Sequence, residues 1–365
     1  HPPELAEALA RLASTALIEK KREEFFSATG RSRRAQLSIP YTGSICRPDL
    51  MRELKAFYET PEGNRFAPTT LEEYGCCPFR YFLRRLLKLT PVEKPTLELE
   101  AREEGSLLHE ALQAVFLRLQ REGELPISDL ALARAMMHDE AARIFARFEA
   151  KQFTGAPLLW ETGKEQLICL LEQLLEREAA DCSGLIPRQF EFHIPELKVE
   201  DADGGAFFLT GKIDRIDTAP EAGALRVVDY KLAGNTQKYR NLLKPENMGE
   251  ISFQMPVYLL AATQILTGEG GAAFSRFTAH YWLLRKLEPL AREFDINGTG
   301  EFDGLFETDP EKRKTIGDAN FYNRLCAKVR AMKEGDFQIT PRECEFCDFP
   351  SVCRFVPVTL QEEPS

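Results

Sequence analysis

Long apolar runs are missing. No stretch of the 365 residues approaches the ~18 unbroken apolar residues that a membrane-spanning helix needs. Glycine (23) and proline (22) stay near average usage, which excludes a collagen-like or low-complexity chain. Positive charge is in deficit, with 47 Lys plus Arg against 57 Asp plus Glu and a net charge of -10, so the surface as a whole does not coat nucleic acid. Only a local basic groove would do so. An initiator Met is also lacking before His1-Pro2-Pro3, and no basic segment leads into an apolar one. Those absences predict a processed or partial chain in the reducing cytoplasm, where disulfides are not expected. What is present, 44% hydrophobic and 28% charged residues, suits one large globular domain or two smaller ones. Nine cysteines, five of them in two short motifs, fit a metal or cluster site better than a disulfide framework.

Residues 4 to 28 carry an amphipathic helical pattern, and residues 1–66 together read as a linker or docking segment. From Pro68 a short capped helix leads through Gly75-Cys76-Cys77-Pro78 into a helical run to Leu89. A helix over about Glu103 to Glu122 gathers Leu108, Leu112, Val115 and Leu119 on one face. An Ala-, Leu-, Arg- and Glu-rich stretch, about 123–185, reads as an inserted helical layer. The period then shifts towards two: Phe190–Val199, Ala206–Asp217 and Leu225–Leu232 read as strands. A helix (Ile251 to Leu266), a fourth strand (Ser275 to Arg285) and a polar loop near 296–304 follow. The fold class is α/β, a sheet with helices.

Gly211-Lys212-Ile213-Asp214-Arg215 and Val228-Asp229-Tyr230-Lys231 end consecutive strands, so Asp214 and Asp229 can converge. Two acids there repel each other unless a divalent cation lies between them, and hard oxygen ligands suit Mg²⁺ or Mn²⁺. Lys231, two residues after Asp229, projects to the same strand face. A cation and an ammonium in one cleft meet the needs of phosphodiester hydrolysis. The plain alternative is a surface Asp229–Lys231 ion pair. His109, one of five histidines, could add an imidazole ligand or could be merely structural. Gln254 and Tyr258, four apart on a helix, share a face and could orient Lys231, hydrogen-bond DNA phosphate or simply pack.

Near the C-terminus, Cys344, Cys347 and Cys353 need a fourth partner, for which Cys77 is the candidate, with Cys76 as a substitute. A cubane iron–sulfur cluster and a four-thiolate zinc site both satisfy that set. Cys46, Cys169, Cys182 and Cys326 lack such spacing and read as buried small apolar side chains.

Taken in order, Leu71-Glu72-x-Tyr74-x-x-Cys77-Pro78-Phe79, Gly105-x-x-x-His109, Gly211-x-x-Asp214-Arg215, Asp229-x-Lys231, Gln254-x-x-x-Tyr258 and the cysteine triplet resemble the iron–sulfur branch of the PD-(D/E)XK nucleases. The nearest likeness is to the nuclease domains of AddB-type subunits of bacterial helicase–nuclease complexes. RecB and the iron–sulfur nucleases of CRISPR adaptation are more distant. The resemblance spans about residues 67 to 355 and implies a nuclease domain over 67–365, with a mixed central sheet flanked by helices and an iron–sulfur segment at 341–356. It implies His109, Asp214, Asp229 and the Tyr230 carbonyl as ligands of Mg²⁺ or Mn²⁺, Lys231 as catalytic lysine, and Gln254 with Tyr258 in support. It further implies Cys77, Cys344, Cys347 and Cys353 on a structural [4Fe-4S] cluster, DNA as substrate in break repair, and a helicase motor subunit of AddA type as partner. No Gly-x-x-x-x-Gly-Lys-Ser/Thr phosphate loop occurs, so ATP hydrolysis is expected elsewhere. Arg80, Arg84 and Lys88, spaced every fourth residue with Arg85 beside them and no acid from Tyr74 to Leu89, are expected to form a basic stripe for DNA phosphate. Tyr81 and Phe82 among them could stack on bases or fill the core. The remaining alternatives are a CRISPR-adaptation nuclease and a noncatalytic DNA-end-binding module.

Overall fold

The computed structural model describes residues 43–90, 101–151, 154–201, 204–268, 274–295, 300–340 and 347–353, with Leu99, Arg342, Cys344 and positions 13, 16, 17 and 20. All of the helix expected over residues 4 to 28 except those four positions, and the ends of the cysteine segment, lie outside the described residues.

Pro48 starts helix α1 (Pro48–Glu59), which turns Leu54 and Tyr58, one turn apart, into the core. Strand β1 (Arg65–Phe66) runs parallel to Phe208 and Leu209, and Phe66 is fully enclosed. Residues 48–66 are thus part of the main core, not a linker. Tyr58 stacks on Phe66 and reaches the Tyr81 hydroxyl, so the short apolar spacing at 54, 58 and 66 closes on distant parts of the core. Helix α2 (Pro68–Cys76) and the single turn α3 (Pro78–Tyr81) follow as expected. The chain then widens into a π-helical turn, Phe82–Leu86, so the helix expected to reach Leu89 stops short. Gly75 is required by contact: a Cβ there would overlap the Glu250 carbonyl, which lies against α2.

Helices α4 (Ala101–Glu122), α5 (Leu130–Glu149) and α6 (Pro157–Ala179) form one layer. Leu108, Leu112, Val115 and Leu119 are buried on α4 as the 3.6-residue period predicts. This layer shares a hydrophobic cluster with Val228, Tyr230, Trp282 and Leu284, so it covers one face of the sheet.

The six-stranded sheet adds β2 (Ile186–Glu200), β3 (Ala206–Ala219), β4 (Ala224–Lys231), β5 (Arg276–Leu283) and β6 (Glu288–Phe294), in the order β1-β3-β4-β5-β6 with β2 on β3. Strand β4 runs parallel to β5 and antiparallel to β3, and seven of its eight residues are buried, as befits a central strand covered on both faces. The β3–β4 turn closes at Gly223, whose φ of 57° is the left-handed region that favours glycine. Helix α7 (Thr236–Leu242) precedes α8 (Gln254–Gly268), which is apolar on nearly every side and lies buried in the larger cluster with Phe277 and Tyr281. Helices α9 (Pro310–Ile316), α10 (Phe321–Lys333) and the short α11 (Pro350–Cys353) complete the described chain. Neither β1 nor β6 was expected from sequence. Among the described residues no helix is long and apolar enough to cross a membrane.

Candidate active site

Strand β3 serves two neighbours in succession, β1 at Phe208–Leu209 and β4 from Arg215 to Ala219. The β3–β4 ladder ends at the Arg215–Val228 pair, and the next residues are Asp214 and Asp229. There the Tyr230 amide donates to Asp214 Oδ2 at 2.8 Å. A carboxylate has taken the place of a strand carbonyl, which anchors both acids at the point where the two strands part.

His109 projects from α4 to this point. Its Nε2 lies 3.1 Å from the Tyr230 carbonyl, and its Nδ1 lies 3.4 Å from Asp214 Oδ1 and 3.5 Å from Glu191 Oε1. Burial disfavours its charge, but Asp214 and Glu191 outweigh that and raise its pKa to about 10. The Asp229 carboxyl is pushed up to about 7 by burial, with repulsion from Asp214 adding to it and Lys231 opposing. Lys231 Nζ sits 2.6 Å from Asp229 Oδ2, with side-chain exposures of 24% and 3%, so the pair is internal, not a surface ion pair. Burial acts against the Lys231 charge, yet Asp229 and Asp214 raise its pKa, and it remains an ammonium.

Behind the carboxylates, Gln254 Nε2 approaches the Tyr258 hydroxyl at 3.5 Å, and both side chains are buried. Burial, then Asp229 and Asp214, hold the Tyr258 phenol protonated. Glu72, to which the sequence assigned no separate role, accepts from the amides of Phe253 and Gln254 at 2.9 Å each. It caps α8 and sets where Gln254 and Tyr258 begin. Glu191 is the residue sequence reasoning missed. It is one polar position in an alternating strand, and only the β2–β3 register brings it to Asp214. A cleft of about 640 Å³ opens over this group, lined by Arg102, His109, Glu191, Lys212, Lys231 and Tyr239 among others.

The donor set is one imidazole, carboxylates and a main-chain carbonyl, which fits a hard divalent cation. His109, Glu191 and Asp214 each offer an atom within 4.8 Å of the others.

The two cysteine motifs approach each other. The Cys77 thiol is pushed up chiefly by its burial and further by the nearness of Cys347 and Cys344. The Arg342 amide donates to the Cys76 carbonyl at 3.0 Å, Arg84 pairs with Asp348, and the Arg84 guanidinium lies 5.9 Å from the centre of the Phe349 ring. Cys353 ends α11, its amide bonded to Phe349 O at 2.9 Å. Cys77, Cys344 and Cys347 thus come from distant segments into one region, although among the described residues the cysteines form no group of three or more with ligand atoms within 4.8 Å of one another. Cys46, Cys169 and Cys182 are exposed on turns and a helix face, contrary to the expectation of burial. Of the four unmatched cysteines, Cys326 alone is buried.

The basic stripe is differently arranged. Glu73, one residue before the acid-free stretch, is buried and receives Arg85 at 2.7 Å, Arg84 at 3.1 Å and Arg80 at 3.7 Å. The π turn gathers these side chains inward, and Lys88 stands beyond the helix with φ 53°. Tyr81 and Phe82 belong to the core: the Tyr81 hydroxyl lies 3.0 Å from that of Tyr58, and Phe82 stacks on Phe337.

A buried ion network backs the site. Arg215 contacts Asp217 at 2.6 Å, Glu178 at 2.7 Å and the Tyr230 hydroxyl at 3.0 Å, while Arg226 joins Asp217 and Asp181. Glu178 on α6 and Asp181 just after it thereby tie the helical layer to β3 and β4.

The chain is 28% identical, over 93% of its length and 33% of the relative's, to a subunit of the ATP-dependent helicase/deoxyribonuclease of Carboxydothermus hydrogenoformans. The subunit of the same name from Geobacillus thermodenitrificans is 25% identical over 78% of this chain and 29% of its own. The exonuclease/helicase subunit RexB of Lactococcus lactis is 21% identical over 79% and 28%. The chain therefore spans about a third of the length of these relatives. Residues 65–354 match the model of the PD-(D/E)XK nuclease superfamily, and with the split between β3 and β4 carrying Asp214, Asp229 and Lys231, the chain belongs to that superfamily.

Proposed function

We propose that this chain is the nuclease portion of an AddB-type helicase–nuclease subunit, hydrolysing DNA phosphodiester bonds during double-strand break repair and recombination in the cytoplasm. The observation that carries the reading is the meeting of His109, Asp214, Asp229 and Lys231 where β3 and β4 part. His109, Asp214, Asp229 and the Tyr230 carbonyl would hold Mg²⁺ or Mn²⁺. Such a cation, when bound, supplies Lewis acidity toward a phosphoryl oxygen and lowers the pKa of a water. Lys231, kept charged by its two carboxylates, stabilises negative charge developing on the phosphate and does not itself accept a proton. Gln254 and Tyr258 hold the floor of the site against the carboxylates, and Glu72 fixes their helix.

Cys77, Cys344, Cys347 and Cys353 are the ligands we assign to a [4Fe-4S] cluster with a structural role, the nearness of Cys344 and Cys347 to Cys77 supporting it over unligated thiols. Around Glu73 and Asp348, the three cations Arg80, Arg84 and Arg85, with Lys88 beyond the helix, leave a surplus of positive charge for DNA phosphate. The names of the relatives support a larger polypeptide acting with a motor subunit of AddA type.

The test is digestion of linear DNA with Mg²⁺, with EDTA, and with Asp229→Ala. Loss of cleavage in both controls is expected. Equal activity in wild type and variant would leave a noncatalytic end-binding module as the reading.

A further inference from the structure

The acid that accompanies His109 and Asp214 is Glu191, on the strand at the other edge of β3. The β2–β3 register pairs Phe190 with Arg215 and Phe192 with Ile213, which sets Glu191 across from Asp214. Residues opposite each other in an antiparallel pair project from the same face of the sheet. Glu191 does so with a φ of 48°, and its side chain is only 9% exposed although it lines an open cleft. Its carboxylate does not face solvent. Oε1 lies 3.5 Å from His109 Nδ1, which in turn lies 3.4 Å from Asp214 Oδ1. Adjacent ligands of an octahedral Mg²⁺ or Mn²⁺ with bonds of ~2.1 Å stand ~3 Å apart. The observed separations are within a few tenths of an ångström of that value. The other Glu191 oxygen pairs with Lys212, whose side chain is 48% exposed at the cleft wall.

We propose that Glu191 is an inner-sphere ligand of the catalytic cation, added by β2 to the set that β3, β4 and α4 provide. Ligation draws Glu191 away from Lys212, which then turns its ammonium to the cleft and to the substrate phosphate. This inference rests on the reading of the site as a divalent-cation centre, and it gives Lys212 a competing role in the cation-free protein. A purely electrostatic role for Glu191, as counter-ion of Lys212, predicts the opposite response at Lys212.

The experiment is Mn²⁺ titration of the whole protein without DNA, followed by the EPR signal of free Mn²⁺ and by calorimetry. Glu191→Gln is expected to weaken Mn²⁺ binding at least tenfold, with the melting temperature in cation-free buffer unchanged. Lys212→Met is expected to leave Mn²⁺ binding as tight or tighter. In the wild type, glutamate labelled with ¹³C at its side-chain carboxyl should show hyperfine coupling to bound Mn²⁺. That measurement holds even where a variant fails to fold. Affinity within twofold of wild type in a folded Glu191→Gln, weaker binding in Lys212→Met, or absence of the ¹³C coupling would each overturn the proposal. Because Mn²⁺ binding is read without substrate, Glu191-dependent binding in a protein that cuts no DNA would sink the nuclease reading and leave this one standing.

Discussion

The Asp214 carboxylate accepts the Tyr230 backbone amide at 2.8 Å, so the residue that would supply a metal ligand also closes the gap left where two strands separate. Charge and hydrogen-bond acceptance are two functions of one side chain there, and substitution can part them. Asp214→Asn keeps an acceptor for the amide, whereas Asp214→Ala leaves a buried N–H unpaired, at a cost of about 1–3 kcal/mol. Both variants should lose nuclease activity by at least ~10²-fold, but only the alanine variant should lose unfolding free energy on that scale. Urea denaturation of the pair measures it, and equal stability of the two would refute the dual role.

Arg215 is enclosed among Asp217, Glu178 and the Tyr230 hydroxyl. Removing its charge alone strands Glu178 and leaves Asp217 to Arg226, so Arg215→Met is expected to cost about 3–5 kcal/mol. Asp217→Asn should cost less, because Arg215 keeps Glu178 and Arg226 keeps Asp181. A chemical-denaturation midpoint unchanged in either variant would show that water reaches the network.

Two buried groups with depressed pKa values, His280 and Asp217, contribute to how stability falls in acid. Burial lowers His280 from 6.5 to about 4, with Arg226 acting in the same direction. Its contribution is complete above pH 6.5 and is lost as pH falls from there to about 4, since the unfolded chain takes up the proton first. Asp217 is held below the usual carboxylate value by Arg215 and Arg226 against the cost of its burial, so its contribution disappears only below about pH 3.8. Comparing wild type with His280→Gln isolates the first window. The two stability curves should converge as pH falls from 6.5 to 4, and curves that stay parallel would contradict the assignment.

The thiol set predicts a brown protein containing iron, with broad visible absorption. Cys344→Ala should lower the melting temperature and weaken DNA binding more than it changes the cleavage chemistry. Zinc without iron after anaerobic purification, or an unaltered melting temperature and DNA affinity, would count against the cluster.

Gly75→Ala tests the seat of α8 indirectly. A methyl group would press on the Glu250 carbonyl and push α2 away from the segment leading into α8. The Glu72 bonds to Phe253 and Gln254 should then break, and kcat should fall with little change in Mn²⁺ affinity. Wild-type kcat in a folded variant would show the contact to be slack.

Sequence carried β3 and β4 because period-two burial and the Asp-x-Lys spacing are local properties, and His109 lies by Asp214 as Lys231 lies by Asp229. The helical layer was equally legible, from the Ala-, Leu-, Arg- and Glu-rich composition that became α5 and α6 and from the apolar face of α4. Glu191 was not, because it meets Asp214 only through the register of β2 on β3, which shifts twice along the ladder. The reading of Arg80, Arg84 and Arg85 as an open stripe failed through a single residue, Glu73, and through a π turn that no helical periodicity announces. Strand β6 escaped because Pro289 and its charges suit a sheet edge and resemble a loop.

The tight bend at Pro220–Gly223 joins β3 to β4 and holds their alignment. Adding or deleting one residue there would slide the hairpin by a single step, and because strand neighbours alternate sides, one aspartate would swing to the opposite side from its mate. That bend is far from the chemistry and exposed enough to look like a convenient place for a tag or graft. It is instead a spacer whose length the enzyme has no freedom to alter.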